Sequence, residues 1–248
     1  MSGMFSNWRR KRLARREFPA HWLPYLEQQV PFYSNLSSDL QKIFRENLKV
    51  FIWEKHFIGA GGLSITDEIK VVISSAAVRL ILFLDLAYYD RLTEIVVYPH
   101  HFKHPDSKDI MLGEARNWGT VVLSDTAVRF GLKYPCDGHD TATHEFAHVL
   151  DRASGKFDGT PQLRASKHYH PWAQVMSFHY LKLKGGHPKQ LEVLRRYGEK
   201  NEAEFFAVAT ESFFERPVQM KQLTPDLYEE LRRFYGFDPV NDPTCGVG

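Results

Sequence analysis

His144 and His148 stand four residues apart, with Glu145 beside the first of them. On an α-helix that spacing stacks two imidazoles on one face, where they can grip a single zinc ion. Glu145 projects about 100° away from His144 and cannot close the same grip. It can reach a water held at the ion, which makes it the candidate general base. Asp151 lies three residues beyond His148 on the same face; it could bind the metal, but the role expected of it is to support an imidazole.

Two histidines do not complete such a site, because a third protein ligand must leave a fourth position for water. The extended arrangement with a third histidine fails here, since position 151 is aspartate and 154 is serine. Glu204 is the better candidate. It sits among Ala203, Phe205, Phe206 and Ala207, and a carboxylate in so apolar a stretch requires a cation partner. A basic side chain would serve as well as a metal, and Glu202 and Glu211 compete with Glu204 for the role. Glu202 is close to the helix start, where the dipole accounts for it. Glu211 lies two turns along the face of Glu204 and is expected to support the site from behind.

The elements that must carry these residues are legible from periodicity and caps. Ala142, Phe146, Ala147, Val149 and Leu150 give the histidine helix an apolar side, and Gly155 stands where it would stop. Asn201 can cap the helix of Glu204. A helix opening at Ser38 and Asp39 places Leu40, Ile43, Phe44, Leu48 and Phe51 on one stripe. Thr66, Asp67 and Glu68 begin a long apolar helix to about Leu84, expected as the central core element. Residues 94–99 and 120–124 read as strands. The second is the segment chosen as an edge strand able to pair with an extended substrate backbone. Further helices are expected over Trp172 to Leu183, Gln190 to Arg196 and Leu223 to Phe237, and His168, His170, His179 and His187 are read as surface histidines. Gly59, Ala60, Gly61 and Gly62 form a turn and match no phosphate-binding pattern.

The formal charge of +2 conceals an asymmetry. Residues 9–16 supply six basic side chains with no acid before Glu17, so the other 26 basic residues face 30 acidic ones, a net of −4. Residues 1–16 are expected to be a flexible tail, and 17–248 a single domain. An Arg-rich, acid-free start also fits an organelle-targeting peptide. Without interleaved aromatics or a folded groove, direct nucleic-acid binding is not expected. The longest apolar run, Val71 to Ala87, contains Arg79, Asp85 and two serines, so a buried helix explains it better than a membrane span. Cys136 and Cys245 lie far apart and make no disulfide framework, which points to a reducing, cytoplasmic setting.

His144, Glu145, Phe146, Ala147 and His148 with Asp151, followed by Tyr197 and the run Asn201 to Ala207, resemble the Mlc titration factor A family of zinc peptidases. Over these two stretches only, they are also similar to the catalytic domain of anthrax lethal factor. The first resemblance extends from about Pro31 through Glu54, Lys55, Phe57 and the strands near Tyr98 and Ser124. It implies an α+β, zincin-like metallopeptidase fold, mostly helical, with a small mixed sheet beside the histidine helix. It further implies one zinc ion per chain on His144, His148 and Glu204, with Glu145 as base and Tyr197 as a phenol on the oxyanion side. The implied partner is a peptide or protein substrate, with aminopeptidase action among the family's activities. A rival class comes with it: sequestration of a DNA-binding transcriptional repressor, for which zinc need only hold two helices together. Asp125 departs from the pattern, since an aromatic is expected after Leu123 and Ser124.

Overall fold

Prolines and short polar side chains set most of the helix starts. The computed structural model describes residues 2–100, 102–103, 110–111, 113–116, 119–242 and 244–246. Helix α1 spans Ser2–Ala14, α2 Leu23–Gln29, α3 Pro31–Asn35 and α4 Ser38–Glu54. Strand β1 (His56–Gly59) leads to α5 (Asp67–Leu80) and β2 (Glu94–Tyr98). The short strands β3 (Phe102–Lys103), β4 (Ile110–Met111) and β5 (Gly113–Arg116) precede β6 (Thr120–Ser124). Helices α6 (Asp125–Lys133), α7 (Thr141–Arg152), α8 (Tyr169–Lys184) and α9 (Pro188–Val193) follow. The chain then runs through α10 (Glu202–Glu215), α11 (Pro217–Leu223) and α12 (Pro225–Tyr235). Ser37 and Thr66 cap α4 and α5 by accepting from the amides of Leu40 and Ile69. These satisfy donors that the first helical turn leaves open.

This is an α+β architecture, mostly helical, with one small mixed sheet. Its strand order is β1-β2-β6-β5. The first three are parallel, with Ile95 opposite Phe57 and Val121, and β5 closes the sheet antiparallel to β6. Val71, Val72, Ile73, Ala77 and Val78 of α5 are completely buried, as expected of the central element. Helix α5 packs between α4 and α7, and α7 in turn packs on α10. Among the described residues no helix is long and apolar enough to cross a membrane.

Several expectations are corrected by long-range partners. Strand β6 is paired on both sides, so it is not an edge; the strand at that end of the sheet is β5, which lies against α7. The basic stretch expected as a tail is helix α1, anchored on α4. Arg10 is bonded to Glu54 at 3.0 Å and to Asp90 at 2.7 Å, and Lys49 Nζ donates to the carbonyls of Ala14 and Arg16. His179 is buried between Asp226 and Gln190 and is not a surface group. The expected last helix is α12, which starts at Pro225, and a separate short helix, α11, precedes it. Cys136 and Cys245 form a disulfide with Cα atoms 5.4 Å apart. The inference of a reducing compartment from unpaired cysteines therefore loses its basis.

Gly159 marks the closest approach between the segment after α7 and the start of α10. Its φ is +75°, and a Cβ there would lie 2.4 Å from the carbonyl oxygen of Glu202. Its amide donates to Asp151 and its carbonyl accepts from the Trp172 indole. Gly159→Ala should therefore destabilise the protein by about 2 kcal/mol or more, from left-handed strain together with the clash. Urea unfolding checks this, and a loss below about 0.5 kcal/mol would show that the two segments separate without cost.

Candidate metal centre

Helix α7 is capped by Asp140, whose carboxylate accepts from the Thr143 amide at 2.9 Å and from the Arg79 guanidinium at 2.6 Å. Arg79 sits in the last turn of α5, so the start of α7 is fixed to the core helix by a partly buried charge pair. From this start, α7 is buried from Ala142 to Asp151. Phe146 and Ala147 face the core while His144 and His148 turn towards α10.

Helix α10 supplies the third group. Asn201 Oδ1 accepts from the Glu204 amide at 2.9 Å, which is the expected cap. A glutamate three residues after a cap often reaches back to the cap's own amide. Here Glu204 turns its carboxylate to the histidines. Its Oε2 lies 3.0 Å from His144 Nε2 and 3.2 Å from His148 Nε2, and the two Nε2 atoms are 3.2 Å apart. Ligand atoms 2.0–2.1 Å from a tetrahedral ion are about 3.3 Å from one another. The triangle thus has the size and donor set of a tetrahedral cation site, and these three residues form a candidate metal group among the described residues.

Glu211 holds His144 from the other side. Its Oε1 lies 2.7 Å from His144 Nδ1, and its Oε2 accepts from the Asp140 amide at 3.0 Å. A carboxylate can only accept here, so the Nδ1 proton points at Glu211 and Nε2 is the nitrogen aimed into the triangle. Glu211 thereby takes the supporting position that its spacing from Glu204 suggests. Asp151 does not. Its Oδ2 accepts from the Gly159 amide at 3.0 Å, and His148 Nδ1 is buried without a hydrogen-bond partner. Asp151 shapes the segment after α7 instead of steadying an imidazole. Burial nevertheless pushes its carboxyl up to about 7, against the lowering effect of the Gly159 amide.

Glu145 is buried next to the histidines, and its charge acts on both His144 and Tyr197. The Tyr197 ring stands 5.6 Å from that of His144 and is 39% exposed, while Phe157 stands 5.2 Å from His148. Two aromatic side chains therefore flank the triangle, one beside each histidine. Lys200 Nζ lies 3.7 Å from the Tyr197 ring centroid. Burial and the Glu204 charge raise the Tyr197 phenol, so it stays a proton donor at neutral pH. Phe157 is a residue that spacing could not select, because the segment that carries it has no regular period.

The electrostatics of the metal-free triangle are uneven. Burial opposes charge on His144, but Glu211 and Glu204 outweigh it and push the imidazole up to about 10. Burial pulls His148 down to about 4, with Glu204 only partly opposing it. Burial also disfavours the Glu204 carboxylate, yet hydrogen bonds from both imidazoles hold it well below the usual carboxylate range.

Comparison with known proteins points to a metallo-peptidase family. Residues 5–236 match the family model described as glucose-regulated metallo-peptidase M90. The chain is 33% identical over 247 residues to an uncharacterised Synechocystis protein, slr2042, covering 94% of this chain and 90% of that one. It is 26% identical to Mlc titration factor A of Edwardsiella ictaluri, covering 85% of each chain. With Mlc titration factor A of Pectobacterium atrosepticum the identity is 25%, over 89% of this chain and 87% of the other.

Metal uptake at this triangle should expel the proton that His144 Nε2 shares with Glu204. Below its pKa of about 10, His144 is protonated in the metal-free protein. Zinc affinity should therefore rise with pH, by up to about tenfold per unit from neutrality towards that value. Calorimetry in two buffers of different ionisation enthalpy reads the release of about one proton per ion. Affinity independent of pH would show that the ion binds elsewhere.

Proposed function

The chain belongs to the glucose-regulated metallo-peptidase M90 family, and from that premise we propose that it is a zinc-dependent peptidase with a zincin-like fold. The observation that carries this reading is the convergence of His144 Nε2, His148 Nε2 and Glu204 Oε2 from two helices, with Glu145 beside them. Two imidazoles and a carboxylate form the donor set of a catalytic zinc site, which leaves one position for solvent or substrate. A zinc ion held there supplies Lewis acidity to a water and to the scissile carbonyl.

The chain's own groups do the rest. Glu145 accepts a proton from the attacking water and returns it to the nitrogen of the leaving amine. The Tyr197 phenol donates a hydrogen bond to the carbonyl oxygen as negative charge develops there. Its ring packs edge-on against His144, and its partly exposed outer side leaves the phenol accessible to a substrate. Glu211 keeps the His144 ring oriented while charge moves. The strand available to pair with an extended peptide is β5, the outer strand on the side of α7. Aminopeptidase action is part of the same proposal.

A second reading draws on the relatives called Mlc titration factor A. In it the chain binds a transcriptional repressor, and the metal ties α7 to α10 without turnover. The two readings separate on one substitution. Glu145→Gln should retain zinc and lose at least about a hundredfold of the cleavage of mixed peptides and aminoacyl substrates. Repressor binding should survive it. Undiminished turnover in Glu145→Gln would remove Glu145 from the reaction.

A further inference from the structure

The support behind His144 is not complete with Glu211 alone. Glu211 is only 1% exposed, and its carboxylate faces one imidazole and one backbone amide from α7. With a metal on Nε2 the His144 ring would be neutral, and a carboxylate so deeply buried then requires a full opposite charge from elsewhere to stay where it is. That charge comes from outside both metal-bearing helices. The Arg195 guanidinium donates to Glu211 Oε1, the same oxygen that faces His144. Arg195 Nε is buried without a hydrogen-bond partner, and the guanidinium also stands 6.0 Å from the Tyr197 ring centroid.

The placement of Arg195 in the chain is informative. It caps the turn Arg196–Glu199, its carbonyl accepts from the Gly198 amide at 3.1 Å, and Tyr197 is two residues on. One short segment therefore brings Tyr197 beside His144 and a guanidinium onto the carboxylate behind it. We propose that Arg195 is a positioning residue of the candidate metal centre, acting on His144 through Glu211. The proposal rests on the metal-site reading above and extends it to a side chain that touches neither ion nor substrate. Arginine suits the position because its planar fork offers directed donors from a fixed charge, whereas lysine offers a point charge on a flexible stem.

The test is zinc binding to the full chain, measured by chelator competition, so that it does not depend on turnover. Thermal unfolding of each metal-free variant establishes that it is folded. Arg195→Met and Glu211→Gln should each weaken zinc binding by about 10- to 100-fold. Because Arg195 acts through Glu211, the double variant should be no weaker than the weaker single one. Arg195→Lys should recover part of the loss. Should Arg195→Met not fold, Arg195→Lys carries the test, with about a fivefold loss expected and wild-type affinity overturning the proposal. Zinc affinity of Arg195→Met within about twofold of wild type, or multiplicative losses in the double variant, would equally overturn it. If the wild-type chain binds no zinc, the metal-site reading itself fails, which this design distinguishes from a failure of Arg195 alone.

Discussion

Two imidazoles and a carboxylate crowded within about van der Waals distance are an unfavourable arrangement in a dry interior unless a cation or shared protons hold them together. The packing of α7 on α10 imposes that arrangement here. His144 and His148 face Glu204 because the opposite sides of both helices are committed to the core through Phe146, Ala147, Phe205 and Phe206. Neither helix can rotate to relieve the polar contact without exposing those side chains. Each large apolar side chain contributes roughly 1.5–3 kcal/mol by its burial. The core thus enforces the cluster, and the cluster acquires its chemistry from being enforced.

The ends of the two helices are held by charge. Arg79 links α5 to Asp140 at the start of α7 and lies 3.7 Å from Glu215 at the end of α10. Glu211 bridges the Asp140 amide and His144. Removing one member of such a network leaves its partner charged and buried, so the network is costly to break even where its net contribution to stability is small. That property suits a site whose geometry must hold when a metal arrives and a proton leaves.

Much of the site was legible because its signals are local. The spacing of His144 and His148, the cap at Asn201 and the anomaly of Glu204 in an apolar run all lie within one or two helical turns. Asp151 shows the limit of that logic. Its position three residues after His148 correctly puts it on the buried face, but spacing could not reveal that the Gly159 amide would claim the carboxylate. The corrections elsewhere have the same cause. Glu54, which pairs with Arg10, and Asp226, which pairs with His179, are 44 and 47 residues away from them. The disulfide spans 109 residues. Strand β5 reads Gly-Glu-Ala-Arg, which has no strand-like alternation of apolar residues, so the neighbour that makes β6 an inner strand leaves no periodic signal. Among the site's features, Phe157 and Arg195 depend on tertiary placement in the same way.

The central claim is that His144, His148 and Glu204 hold one divalent ion between two helices. X-ray absorption at the zinc edge of the stoichiometrically loaded protein tests it most directly. The account predicts nitrogen and oxygen ligands at about 2.0–2.1 Å with the outer-shell scattering of two imidazoles. It also predicts that His148→Ala removes one imidazole contribution or the ion itself. Sulfur at about 2.3 Å, or a spectrum unchanged by His148→Ala, would contradict it.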